Sequence, residues 1–412
     1  MIISEQTRIF IKQHLTDDVR ALALKVKPQE DIDLPFALTQ IEGWQKAKDK
    51  LPSWANNENI LYPPHLSLEQ CSSELTALYK QQIVKESKTQ HNTFADLTGG
   101  FGIDCTFIGK LFKQAYYVER QELLCQLAKN NFLVSKLINI DICHTDAKDF
   151  LLQASHLDWL FIDPARRNFS GGKVVALEDC EPNILELKDL LLEKADKVMA
   201  KLSPMLDIKK AISALGDIVE QVHVVSVDNE CKEILLVMSK NAQHYEHVLT
   251  AINLSSKGEP QQSFSFHHEE EEKSCNYATA LQTYLYEPNA SILKAGAFKS
   301  IASRFHLAKL HPNSHLYTSD TLHSVFPGRI FHIEDYSSFN KKELAHLLQG
   351  IDKGNLTVRN FPQDVASLRK KLKLNEGGST YLFATTLNDG KKILIKCRKV
   401  VVPPRIELES KV

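Results

Sequence analysis

Between residues 92 and 240, short runs rich in β-branched and aromatic residues alternate with segments of helical period. This alternation limits the fold more than any other feature of the chain. Strand-type runs fall at 93–97, 115–119, 139–145, 157–163 and 197–202, and helical patterns at 104–112, 121–137, 183–194 and 207–215 lie between most of them. Strands so separated can pair in parallel, which predicts an α/β domain with helices on both faces of the sheet. The last two runs, 219–227 and 233–238, are joined by a few polar residues around Asp228, Asn229 and Glu230. That is too short for a parallel crossover, so an antiparallel hairpin is expected at the sheet edge.

Acidic residues recur where these strands end. Asp96 closes the first strand ahead of a glycine turn (Gly99, Gly100, Gly102) that leads into a helix from Asp104. Glycines let backbone approach a ligand, and the helix beyond them makes this a nucleotide-binding turn. Glu119 follows Asp96 by twenty-three residues, where a two-oxygen acceptor can hold a ribose diol. Asp146 ends the third strand, positioned to accept from an adenine amino group, and Asp163 ends the fourth. In open α/β sheets ligands bind at the carboxyl edge, to which all four point.

The rest of the chain bounds the setting. At 412 residues it is long enough for two to four domains of ~100–200 residues. No apolar run approaches the ~18 residues of a membrane span, and residues 1–20 lack the apolar core of a signal peptide. The eight scattered cysteines include no C-x-x-C pair and read as small core hydrophobes in a reducing cytoplasm. No residue set argues for a metal. Residues 1–85 read as mostly helical, interrupted by prolines, with Trp44 and Trp54 as packing residues. The run of glutamates after His267 and His268 reads as an exposed acidic loop. From 326 to 401 strand and helix pieces suggest a small α+β domain with helices on one face of an antiparallel sheet. Residues 355–405 hold eleven Lys and Arg against three carboxylates, an excess that can attract a polyanion or form a solvated face.

DLTGGFGID, YVER, HTDA and FIDPARR, in that order, resemble motifs I to IV of the class I S-adenosylmethionine-dependent methyltransferases. The resemblance implies a Rossmann-like sheet over roughly 90–240, parallel with an antiparallel terminal hairpin, and S-adenosylmethionine as cofactor. It places Asp96, Thr98, Gly99 and Gly102 on the methionine portion, with Gly100 and Asp104 in the same turn, Glu119 on the ribose and Asp146 on the adenine. Asp163-Pro164 resembles the start of the Asp/Asn-Pro-Pro-aromatic motif of amino-group methyltransferases. There a carboxylate or amide and the proline carbonyl accept from the target amino group and aim its lone pair at the methyl, which is a positioning effect. Ala165 and Arg166 stand where that motif has proline and an aromatic residue. DPAR also resembles RNA uracil-C5 methyltransferases, but the fifth strand runs into Lys201-Leu202-Ser203-Pro204-Met205 without the cysteine that chemistry needs.

YLYEPNASILKAGAF and the stretch 357–399 resemble the bacterial THUMP-like-domain methyltransferase family. The organisation implied is a helical region at 1–85, a methyltransferase domain at 86–240, a ferredoxin-like segment at 241–322 and a THUMP-like domain at 323–412. THUMP domains deliver structured RNA to attached enzymes, so rRNA or tRNA is the expected partner. Arg369, Lys370 and Lys371 are candidate phosphate contacts. Arg166 pairs either with a substrate phosphate or with Glu178 or Asp179, and Arg167 reads as structural. Two other readings stand beside RNA methylation. One is a methyltransferase for protein or a small molecule, the other a non-catalytic RNA-binding protein.

Overall fold

Unbroken apolar runs need cover on both faces, and the central strands of the larger sheet have it. The computed structural model describes residues 3–27, 30–166, 177–240, 242 and 247–401. In it β1 (Thr93–Asp96), β2 (Gln114–Glu119), β3 (Ile140–His144), β4 (Leu157–Ile162) and β5 (Ala195–Leu202) pair in parallel. Phe94, Trp159, Leu160, Phe161 and Val198 on these strands are almost wholly buried. Helices Ile103–Gly109, Glu122–Val134, Ala147–Gln153 and Ile184–Lys194 fall between the strands. Side chains of Asp146 and Asn183 cap the last two by accepting from backbone N–H groups otherwise left unpaired.

β6 (Val219–Val227) and β7 (Glu230–Met238) are joined by Asp228 and Asn229, with φ of 49° and 66°. Positive φ at both central residues matches the twist of a two-residue hairpin, and Asp and Asn tolerate it better than most side chains. The expected hairpin is present, but its place at the edge is corrected. The sheet order is β9-β8-β6-β7-β5-β4-β1-β2-β3, because β8 (Val248–Leu254) pairs in parallel with β6, and β9 (Gln262–His267) antiparallel with β8. Alternation in QSFSFH buries Phe264 and Phe266.

The expected exposed acidic loop holds for His268, Glu269, Glu272 and Lys273, which are exposed, and is corrected for Glu270 and Glu271. Glu271 accepts from the Lys299 amide at 3.0 and 2.9 Å and from the Ser300 amide at 2.7 Å. Glu270 accepts from the His267 amide at 2.8 Å and pairs with Arg304 at 3.3 Å. These carboxylates satisfy local backbone donors, which solvated side chains would leave to water.

The chain divides into two compact units, Met1–Glu220 with Leu235–Gln243 and Gln221–Ile234 with His244–Val412. The first holds the N-terminal helices, chiefly Glu5–His14, Val19–Lys25, Leu34–Lys50 and Glu74–Glu86. Pro35 and Pro52 lie in first turns, where a missing N–H costs nothing. Two side-chain amides grip one dipeptide of this region. Gln40 donates to the Tyr62 carbonyl (3.0 Å) and accepts from its amide (2.8 Å); Asn131 does the same to Leu61, at 2.9 Å each way. Trp54 packs edge-on against Phe101 of the glycine turn at 4.8 Å, and Trp44 donates to the Ala55 carbonyl, so both tryptophans are packing residues.

In the second unit β10 (Tyr284–Pro288), β11 (Ala308–Lys309), β12 (Tyr317–Ser319), β13 (Gly328–Ser338), β14 (Asn355–Arg359), β15 (Thr380–Thr386) and β16 (Lys392–Lys399) form a seven-stranded sheet. The order is β11-β12-β10-β13-β16-β15-β14. The expectation of a purely antiparallel sheet is corrected at one edge, since β14 pairs with β15 in parallel across the helix Val365–Leu372. No helix among the described residues is long and apolar enough to cross a membrane.

Candidate active site

The carboxyl ends of β1, β2 and β4 meet through their polar groups. Asp96 is nearly fully buried, and its Oδ1 accepts from the Thr98 amide at 3.1 Å. Burial first, then the neighbouring Asp104, Asp163 and Glu119 carboxylates, pushes its carboxyl well above the usual range. Thr98 Oγ1 accepts from the Asp163 amide at 2.7 Å, which ties the β1 turn to the end of β4.

Close packing sets the glycine turn. A Cβ on Gly99 would lie 2.3 Å from the Tyr117 ring. Gly100 and Gly102 have φ of 53° and 85°, in the region that disfavours a side chain. The Gly100 amide donates to Glu119 Oε2 at 2.9 Å, the Gln121 amide to Oε1 at 2.8 Å, and Tyr117 Oη to the Gly100 carbonyl at 2.6 Å. Glu119 therefore braces the turn. A carboxylate has about four lone-pair sites, so two backbone donors leave room for a diol.

Asp146 stands two residues beyond β3 and caps the next helix, its Oδ1 accepting from the Asp149 amide at 2.9 Å. Asp104 is held from the N-terminal helices. Lys80 Nζ lies 3.2 Å from its Oδ1, Ser72 Oγ donates to Oδ2 at 2.6 Å, and Lys80 also donates to Ser72 at 3.0 Å. Lys80 is fully buried.

At the end of β4, Asp163 Oδ2 is ion-paired with Lys201 Nζ from β5. Its Oδ1 has no protein partner among the described residues. Pro164 is buried. Ala165 and Arg166 pair with Glu181 and Cys180 through backbone. The Arg166 side chain and all of Arg167 lie outside the described residues. Lys50 donates to the Leu68 and Glu69 carbonyls at 2.9 and 2.8 Å, and its pKa is pulled down by burial, with the Lys201 charge contributing.

Sequence reasoning missed Lys201, Lys80 and Ser72. Lys80 carried a signal, because it falls on the same helical stripe as Ala77, Ile83 and Val84, all buried. Lys201 interrupts an apolar run one residue before β5 ends. Arg369, Lys370 and Lys371 lie in the second unit. Arg369 Nη1 donates to the Gly354 carbonyl at 3.1 Å, Lys370 is exposed, and Lys371 lies 5.8 Å from the Phe339 ring. Of the other basic residues there, Arg359 pairs with Glu287, Lys396 and Arg398 with Glu334, and Lys391 with Asp389. A cleft of about 390 Å³ lined by Leu15, Asp17, Trp44 and Lys48 among others lies in the N-terminal helices. None of its lining residues belongs to the strand-end cluster.

A sheet running 3-2-1-4-5 and continued by the pair 7 and 6, with carboxylates over its carboxyl edge, defines the class I methyltransferase fold. The description of a ferredoxin-like domain matches residues 284–327, and that of a THUMP-like domain residues 328–399. A candidate methyltransferase from Porphyromonas gingivalis W83 is 34% identical with a TM-score of 0.86, over 97% of this chain and 100% of its own. Two further structures, both complexes with SAH, are distant. A candidate methyltransferase from Streptococcus mutans has 12% identity and a TM-score of 0.30 over 39% of this chain and 94% of its own. TrmK from M. capricolum has 13% and 0.31 over 41% and 71%. No curated protein matches the chain. By its match to the P. gingivalis protein, the chain belongs to the class I methyltransferase family that carries ferredoxin-like and THUMP-like domains.

Proposed function

We propose that this chain is a cytoplasmic enzyme that transfers the methyl group of S-adenosylmethionine to a base in structured rRNA or tRNA, with the THUMP-like domain binding RNA. The observation that carries the reading is the bond from the Asp163 amide to Thr98 Oγ1, which draws a candidate acceptor carboxylate to the glycine turn. The donor set fits an adenosine with an uncharged linker. Glu119 has capacity for the ribose hydroxyls, Asp146 is exposed to accept from the adenine amino group, and Asp96, Thr98, Gly99, Gly100 and Gly102 flank the methionine portion. Bound S-adenosylmethionine supplies an electrophilic methyl carbon on a positive sulfur. Asp163 Oδ1 and the Pro164 carbonyl accept from the target amino group and orient its lone pair, a contribution of alignment. Lys201 is a positioning residue that fixes the other carboxylate oxygen.

The test is transfer of labelled methyl to total RNA from a deletion strain, followed by mapping of the labelled position. One site in tRNA or rRNA should be labelled, and Glu119→Ala should abolish both labelling and calorimetric donor binding. Donor binding without transfer to any RNA would favour a protein or small-molecule acceptor, the reading to which Ala165 and Arg166 give weight by replacing the second proline and the stacking aromatic.

A further inference from the structure

A second set of polar groups, all within the second unit, is not used by the methyltransferase site. Glu287 of β10 is buried, and two guanidiniums share its carboxylate. Arg329, directly opposite on β13, donates to Oε2 from Nε at 2.8 Å and also from Nη2; Arg359, at the end of β14, donates to Oε1 at 3.0 Å. One carboxylate neutralises one guanidinium, so the group retains positive charge. Both arginine side chains keep about a third of their surface exposed, at 36% and 37%. Neither Nη1 group has a protein partner among the described residues.

The surroundings add to that excess. Arg359 Nε and His315 Nδ1 are shielded from solvent and unpaired. The His315 ring stacks on Phe298 at 3.7 Å, and Lys309 Nζ lies 5.3 Å from the same Phe298 ring. Burial first, then the Lys309 and Arg359 charges, pushes His315 down to about 4, so it stands neutral beside the two arginines. The nearby Glu271 carboxylate is committed to the Lys299 and Ser300 amides. Two loops that carry these groups hold non-glycine residues in the left-handed region, His315 at φ 52° and Asn360 at φ 49°. Asn360 Nδ2 and His311 Nδ1 join them at 2.9 Å. Such backbone persists only where surrounding structure enforces it, and it concentrates at ligand sites.

We infer that Arg329 and Arg359, braced by Glu287, form a phosphate site that takes the backbone of the RNA substrate. The planar forks present their remaining N–H groups to phosphate oxygens, a geometry that lysine does not reproduce. Glu287 aims the forks and limits their pull on other anions. The inference rests on the RNA reading above and assigns it particular residues.

The experiment is fluorescence anisotropy of a labelled hairpin RNA with the full chain across a sodium chloride series. Arg329→Gln and Arg359→Gln should each weaken binding about tenfold and lower the salt slope by about one, as loss of one phosphate contact requires. Glu287→Gln should tighten binding, because it releases both forks. A cluster that only braces the sheet makes the opposite prediction, with melting temperature falling in all three variants while affinity and slope per folded molecule stay unchanged. That result overturns the inference and leaves the RNA reading standing. If the wild-type chain binds no RNA at any salt, the RNA reading itself fails. Should a glutamine variant not fold, Arg359→Lys serves in its place: it keeps the slope but loses the fork, and affinity equal to wild type counts against the site.

Discussion

Replacing Lys80 by methionine probes how the N-terminal helices support the glycine turn. The ammonium lies 3.2 Å from Asp104 Oδ1 and 3.0 Å from Ser72 Oγ, with no exposed surface on the lysine. Methionine keeps most of the apolar stem and removes the charge, which leaves a buried carboxylate near the still more buried Asp96, with the Ser72 hydroxyl donating to it. Removing one partner of a buried pair costs about 3–5 kcal/mol. Asp104 retains slight exposure, so water can offset part of this, and about 3 kcal/mol is expected. Lys80→Met/Asp104→Asn removes both charges and should cost less than Lys80→Met alone, a non-additivity that marks direct coupling. Urea unfolding of the first cooperative transition gives the stability change, read from the midpoint at constant slope. Donor affinity by calorimetry should fall in parallel, since Asp104 lies in the first turn of the helix that leaves the glycine turn. A cost below about 1 kcal/mol for Lys80→Met, or a double variant whose loss equals the sum of the single ones, would falsify the pairing as an anchor.

Three further outcomes are expected. Lys201→Met should lower methyl transfer at least tenfold while leaving donor affinity within twofold, because Lys201 contacts Asp163 on the acceptor side; an equal loss of donor affinity counts against that division. Gly99→Ala drives a methyl group into Tyr117 and should cost about 1–3 kcal/mol with loss of donor binding. Tyr117→Leu in the same chain should restore part of it, and absence of rescue refutes the packing argument. His223 is pushed down to about 4 by burial, so it stays neutral in the folded chain while the unfolded chain takes up a proton near its ordinary 6.5. Its contribution is intact above about pH 6.5 and is lost as pH falls toward about 4, worth about 3 kcal/mol in all. His223→Gln should flatten the stability profile in that window, and an unchanged profile rejects the assignment.

The strand ends were legible because a carboxylate closing an apolar run is a local pattern; Asp96 and Asp163 carry it beside a glycine turn and a proline, and Glu119 ends the apolar run AYYV. Asp146 was nearly so, though its first task proved to be a helix cap. Lys201 was not legible, since a lysine near a strand end usually reaches water and only the pairing of β4 with β5 brings it to Asp163. Ser72 depends on a contact thirty-two residues away in Asp104, which no periodicity encodes, and for Lys80 the helical stripe marks burial but not the partner twenty-four residues on. β8 and β9 were overlooked for a different reason. Exposed glutamates follow β9 and give the stretch the composition of a solvated loop, although QSFSFH alternates as a half-buried strand does.

The grip of Gln40 and Asn131 on Leu61 and Tyr62 is made wholly to peptide atoms. It is blind to the identity of the residues whose backbone it holds. Among relatives the gripped pair is therefore free to drift between apolar types, while the two gripping amides are not. Even glutamate in place of Gln40, nearly identical in shape, would turn an oxygen toward the Tyr62 carbonyl and set two acceptors face to face.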